Sequence, residues 1–184
     1  AFGIKTMVKL SVYLVTLNEE LRLEKTLKAA AKVADEIVVV DSGSTDKTVE
    51  IAKKYKARIF YHKWKSYCDQ KSFAEKKCSS DWVLMLDADE VLSAELIAEI
   101  KQIKKNPQHH AYEVKICNMF PGDVKPRVFA QSFKAVRLYN RKFAHMPPDL
   151  WNKDRIKVRN PKNVSQLKNK IYHYCFLSLE QATA

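Results

Sequence analysis

Two aspartates one residue apart, in Leu86-Asp87-Ala88-Asp89-Glu90, directly follow an apolar run of strand length. Carboxylates this close cannot both be buried in ionised form without help, because like charge and desolvation each raise a carboxyl pKa. A divalent cation supplies that help. Mg²⁺ and Mn²⁺ prefer oxygen ligands, and Mg²⁺ typically takes one or two carboxylates, keeping positions for water and substrate phosphates. The plainer alternative is a solvated acidic turn with Glu90 facing the next helix. A second polar segment, Asp41-Ser42-Gly43-Ser44-Thr45-Asp46, also follows an apolar run. It reads as a strand-to-helix connection turned by Gly43 and capped by Ser44, and equally as a place where Asp41 accepts hydrogen bonds from a base or ribose. The two readings are compatible. Glycines at positions 3, 43 and 122 only cannot form a dinucleotide fingerprint or a Walker-type loop, so a bound nucleotide must be held by carboxylates and a metal.

The elements that would position these groups are legible as periodicity. Residues 10–17 form a compact apolar run, and 19–34 carry Leu23, Leu27, Ala30 and Ala34 at helical spacing. Strands are expected over 36–40, 58–61 and 82–86, and helices over 46–55, 69–78 and from a Ser93 cap to about 105. This βαβαβαβα order predicts a mainly parallel sheet covered on both faces, whose strands point their carboxyl ends to one ligand-binding edge. The acidic segments should therefore meet there, together with Thr16-Leu17-Asn18-Glu19-Glu20. Beyond 107 the pattern loosens: strands are expected over 111–119 and 135–140, with Pro121, Pro126, Pro147, Pro148 and Pro161 breaking the rest into loops and short elements. No linker separates two cores, so residues 7–106 read as a nucleotide-binding half and 107–184 as a basic half of the same domain.

Composition narrows the class. The chain has 184 residues, 46% of them hydrophobic and 29% charged, which excludes collagen-like, disordered and disulfide-scaffold chains. Charge is uneven: sixteen basic against fourteen acidic side chains lie in residues 1–92, and seventeen against seven in 93–184. Residues 125–170 alone hold thirteen basic side chains against Asp149 and Asp154, a surface suited to phosphates, anionic lipid or nucleic acid. Cys68, Cys78, Cys117 and Cys175 fit neither zinc-knuckle nor redox spacing and imply reduced thiols in a cytosolic protein. No apolar window reaches membrane-spanning length and no secretory signal is visible, with Met7 reading as the natural start.

Several of these segments, in this order, together with Gln70-Lys71-Ser72-Phe73-Ala74 and Asp81-Trp82-Val83-Leu84-Met85, resemble glycosyltransferase family 2. More narrowly they are similar to its bacterial lipopolysaccharide-core glucosyltransferase branch. The resemblance implies a GT-A fold and inverting transfer of a hexose from a nucleotide sugar, commonly a UDP-sugar, with Mn²⁺ or Mg²⁺ as cofactor. It implies that Thr16, Asn18 and Glu19 line the nucleoside pocket, that Asp41 contacts uracil or ribose, and that Lys71 lies beside the nucleotide. Asp87 would touch the ribose or a metal-bound water, and Asp89 would bind the cation bridging the diphosphate. The acceptor would be a lipid-linked or oligosaccharide lipopolysaccharide or lipooligosaccharide core, with the basic half contacting an anionic membrane at the cytoplasmic face; nucleic acid is not expected as a partner.

Inversion needs a base near the acceptor hydroxyl. Members of the branch carry a His-Glu pair between landmarks matched here by Arg137-Leu138-Tyr139 and His173-Tyr174-Cys175-Phe176, and this chain has Lys153-Asp154 there. Asp154 is the nominated base and Asp149 its rival; partnership with Lys153 or Arg155 is the structural alternative for Asp154. His145 and His173 read as structural or acceptor-side, since no second histidine stands at ligand spacing. Lys56 replaces a frequent helix-ending Gly, residues 120–136 lack a Gly-Trp pattern, and the end at Ala184 implies C-terminal truncation relative to the branch. Two other classes fit single features. Asp87-Ala88-Asp89-Glu90-Val91 matches the pattern of haloacid-dehalogenase-like phosphatases, with Asp87 as nucleophile and Asp89 as acid. Lys125, Arg127, Phe129, Phe133, Arg137, Tyr139 and Arg141 match a nucleic-acid-binding surface.

Overall fold

Alternation of β-branched residues decides the first strands. In β1 (Leu10–Thr16), Leu10, Val12 and Leu14 face one side and Tyr13 the other; in β2 (Glu36–Asp41), Ile37 and Val39 oppose Val38 and Val40. Both faces are thus apolar and both need cover. The computed structural model describes residues 7–148 and 155–176. Helices α1 (Leu23–Ala30), α2 (Thr48–Lys54) and α4 (Ala94–Lys105) pack on one face through Leu27, Ile51 and Ile100, and α3 (Tyr67–Lys77) packs on the other through Ala74.

β3 (Arg58–Tyr61), β2, β1 and β4 (Trp82–Met85) run parallel, with β1 between β2 and β4. Against β4 lies β7 (Ser132–Asn140), antiparallel, and beyond it come β6 (Ala111–Asn118), β10 (Val164–His173) and the three-residue β5 (Glu90–Leu92). The sheet is therefore parallel on its nucleotide side and mixed on its basic side. β5 and β10 pair across the boundary between the two halves, so the halves share one sheet. A small ribbon of β8 (Ala144–His145) and β9 (Lys157–Val158) places Ala144, Ile156 and Val158 against the α3-side core.

Local chemistry accounts for the ends. Ser93 caps α4, its Oγ accepting from Leu96 N at 3.2 Å, and Ser66 caps α3 by accepting from Asp69 N at 3.1 Å. α1 starts later than helical spacing predicts, because residues 19–22 form turns that serve the loop above them. Lys56, just past α2, has φ 55°, the left-handed conformation that a glycine accommodates without strain. Besides the two-residue β8 and β9, β5 and β10 are the strands periodicity does not show. β5 is three residues long, and β10 mixes Gln166, Lys168, Asn169 and Lys170 with its apolar positions.

Candidate active site

The carboxyl ends of β1, β2, β4, β6 and β10 and the amino end of β7 share one edge. Thr16 and Asp41 are register partners there, and the first two loops are laced together by side chains. Asp41 is buried; Oδ1 accepts from Thr16 Oγ1 (2.9 Å) and Ser44 Oγ (2.5 Å), and Oδ2 from the Gly43 (2.9 Å) and Ser44 (2.8 Å) amides. Four donors fill a carboxylate's ordinary capacity. Asp41 therefore builds the wall, and a direct bond to a ligand must displace one of these donors. Asn18, at φ 55°, accepts from Thr45 N at 2.9 Å, while its own amide donates to Ser44 Oγ at 2.9 Å. Glu19 N donates to Thr48 Oγ1 at 2.7 Å.

Asp87 lies at the end of β4 between two cations. Lys71 Nζ is 2.6 Å from Oδ1, and Arg137 Nη2 is 3.1 Å from Oδ2 and 2.6 Å from Glu90 Oε1. Burial alone would raise the Asp87 pKa; Lys71 and then Arg137 outweigh it and hold the carboxyl well below the usual range. Glu90 is fully buried and its pKa is raised, by burial first, with Arg137 opposing and Asp87 adding to the rise. Hence Asp87 is held ionised, and Glu90 depends on Arg137 to offset its burial. Glu90 does not face the next helix in solvent; it also accepts from Asp87 N at 3.1 Å and so clamps the turn. Arg137 reaches both acids because it is the extra residue of a β-bulge: Leu138 pairs with Tyr112 and Val136 with Glu113, leaving Arg137 unopposed.

Asp89 faces His173 and Arg22, each 3.4 Å from Oδ2, and Arg22 also bonds both Glu19 carboxylate oxygens, at 2.9 and 3.0 Å. Burial lowers the His173 pKa, but the adjacent Asp89 outweighs it and the net direction is upward. His173 Nδ1 meets Asn118 Oδ1 at 3.0 Å, which turns Nε2 toward Asp89. Among the described residues no three His, Cys, Asp or Glu side chains cluster closely enough to hold an ion. The donor set fits a cation that takes one carboxylate and one imidazole from the protein and its remaining ligands from a diphosphate and water.

Three cavities run in line along the edge. One of about 240 Å³ is lined by Thr16, Ser42, Trp64 and Tyr67; the next, about 280 Å³, by Glu19, Tyr67, Lys71, Asp87, Asp89 and His173. They share Val15, Glu19 and Tyr67, and the second shares Asp87 with a third of about 570 Å³. The structure thus brings Thr16, Glu19, Lys71, Asp87 and Asp89 to one cleft, with Asp41 bonded behind Thr16 and Asn18 in the adjoining loop bonds. Asp154 and Asp149 lie outside the described residues. Arg22, Trp64, Tyr67 and Glu113 carry no signal in the one-dimensional pattern, and histidine spacing gives none for His173, whose neighbour is an aspartate 84 positions earlier.

Residues 11–128 match the family described as Glycosyl transferase family 2. The chain belongs to that family. It is 40% identical over 188 residues to an uncharacterized glycosyltransferase of Rickettsia bellii, spanning 96% of this chain and 63% of the relative. A lipopolysaccharide core biosynthesis glycosyltransferase, LpsC of Rhizobium meliloti, is 41% identical over 92 residues, covering 47% of this chain and 34% of its own length. The family 2 chain thus spans less than two thirds of these relatives. Among solved structures, glucosyl-3-phosphoglycerate synthase of Mycobacterium tuberculosis, in complex with Mn²⁺, UDP and glucosyl-3-phosphoglycerate, superimposes with a TM-score of 0.59 at 16% identity, covering 99% of this chain and 77% of that one. The fold is GT-A. Among the described residues no helix is long and apolar enough to cross a membrane, and all four cysteines are free.

Proposed function

We propose that this chain carries the catalytic centre of an inverting, divalent-metal-dependent glycosyltransferase that moves a hexose from a UDP-sugar to a lipopolysaccharide or lipooligosaccharide core acceptor. The observation that carries the reading is the run of cavities in which one lined by Thr16, Glu19, Ser42, Trp64 and Tyr67 adjoins one lined by Lys71, Asp87, Asp89 and His173. The nucleoside sits against Thr16, Asn18, Glu19 and Asp41, and Tyr67 offers a ring face at the junction. Lys71, though paired with Asp87, adds positive charge where the diphosphate lies. Asp89 with His173 holds Mn²⁺ or Mg²⁺, which when bound offsets the charge developing on the departing diphosphate. Asp87, fixed by Lys71 and Arg137, orients the ribose side. Asp154, or its rival Asp149, takes the proton of the acceptor hydroxyl as it attacks the anomeric carbon from the face opposite the leaving group.

The UDP bound by the mycobacterial structure and the lipopolysaccharide role of LpsC support the donor and acceptor classes. A phosphatase of the haloacid-dehalogenase type carries this motif after its first strand, whereas three βα units precede it here. The basic half suits a cytoplasmic enzyme resting on an anionic membrane, where each nearby Lys or Arg contributes about 1 kcal/mol. Calorimetry with a panel of UDP-sugars and Mn²⁺ tests the donor reading: metal-dependent binding is expected, and donor binding indifferent to both Mn²⁺ and Asp89→Ala would overturn it. Co-sedimentation with anionic vesicles at low and raised salt tests the membrane contact, with equal, negligible binding as the adverse result.

A further inference from the structure

The third cavity is the largest of the three in line, and its walls differ from those of the other two. It is bounded by Glu113 of β6, by Phe133, Lys134 and Val136 of β7, and by Arg155 and Ile156 just before β9. Because β4 ends where Leu84 meets Leu138, residues 132–136 of β7 have no β4 partner, and the space beside them is open. The Glu113 and Arg155 side chains make no hydrogen bond or ion pair with any described residue, and Lys134 Nζ donates only to Gln166 Oε1 at 2.7 Å among them. Elsewhere on this edge the charged groups are cross-paired. Here Lys134, Arg155 and Glu113 line one cavity with Phe133, none of them ion-paired among the described residues, and the cavity meets the diphosphate cavity at Asp87.

We infer that this cavity is the acceptor subsite and that it selects an acidic sugar, with Arg155 and Lys134 binding a phosphate or carboxylate substituent, Glu113 accepting from a ring hydroxyl and Phe133 covering an apolar sugar face. The inference rests on the transferase reading. A guanidinium and an ammonium share one anionic substituent at little cost, whereas a neutral sugar leaves both without a counter-charge. The same selection explains why, beside the paired Arg137, a cavity meant for a carbohydrate carries two further cations, Lys134 and Arg155.

The test uses the chain saturated with UDP and Mg²⁺ and follows by ligand-observed NMR the binding of three probes: glucose 6-phosphate, glucuronate and glucose. Binding of at least one acidic probe about tenfold tighter than glucose is expected. That preference should vanish in Arg155→Ala/Lys134→Ala, while Arg155→Lys retains part of it. Phosphate over glucuronate, or the reverse, identifies the substituent. Glucose binding as tightly as both acids, or a preference that survives the double substitution, would overturn the inference. UDP affinity is read in the same samples; its loss in the unsubstituted chain counts against the transferase reading, and the probe preference measured without nucleotide still decides the subsite.

Discussion

The nucleotide side and the basic side of the cleft are built on opposite plans. On the first, backbone amides of one loop donate to side chains of the next, as Asn18 with Ser44 and Glu19 with Thr48 do, so the pocket is ordered before any ligand arrives. On the second, Glu113 and Arg155 face open space without partners among the described residues. The contrast teaches where each half spends its polar groups. A donor common to many enzymes can be met by a rigid wall, whereas discrimination among acceptors requires groups left for the ligand to satisfy.

Arg137 is the exception that joins the two plans, since it sits on β7 and neutralises acids that follow β4. Arg137→Met should sever them most severely. It leaves Asp87 with Lys71 alone and Glu90 buried without its cation, and a loss of about 3–5 kcal/mol in urea unfolding is expected. A loss below about 1 kcal/mol would mean that Glu90 is neutral already and the two halves are electrostatically independent. Asp89→Asn acts on chemistry and not on the fold. Transfer should fall about 10²- to 10³-fold, with the thermal midpoint little changed, as read by a UDP-release assay beside calorimetry.

Two smaller effects probe the nucleotide side alone. Glu36 accepts from Ser11, from Arg58 and from Ser79 N and Oγ at 2.8 and 2.9 Å, and these bonds outweigh partial burial and lower its pKa from 4.5 to about 2. A depressed folded-state pKa contributes stability above the unfolded value that is lost as pH falls through the folded one. Glu36→Gln should therefore flatten the decline in stability between pH 4.5 and about 2, followed by circular dichroism; an unchanged slope would assign the acid sensitivity to other groups. Lys56→Gly should raise stability, by about 0.5–1 kcal/mol, by relieving the left-handed backbone at the end of α2.

The parallel side was largely legible in the sequence because its strands are short apolar runs buried on both faces and its polar loops all follow strands. Runs such as Val38-Val39-Val40 admit little else. The mixed side resisted for a physical reason. β10 is half polar and is held in place by β6 and β5, partners distant in the chain, and the β7 bulge exists only relative to β6. No local pattern announces either. The same holds for the site: Asp41, Asp87 and Asp89 declare themselves by following strands, whereas Arg137, Arg22 and His173 gain their partners only through register. Asp41 also shows what no sequence pattern reveals, that its carboxylate is already bonded to Thr16, Gly43 and Ser44.

The pairing of β10 with β5 sets a schedule for the growing polypeptide. Asp89 leaves the ribosome well before His173, and at ~5–20 residues per second the interval is roughly 4 to 17 s. Throughout that delay the nascent protein can form the loops after β1 and β2 yet lacks the imidazole that faces Asp89, so that side of the edge is completed late and all at once.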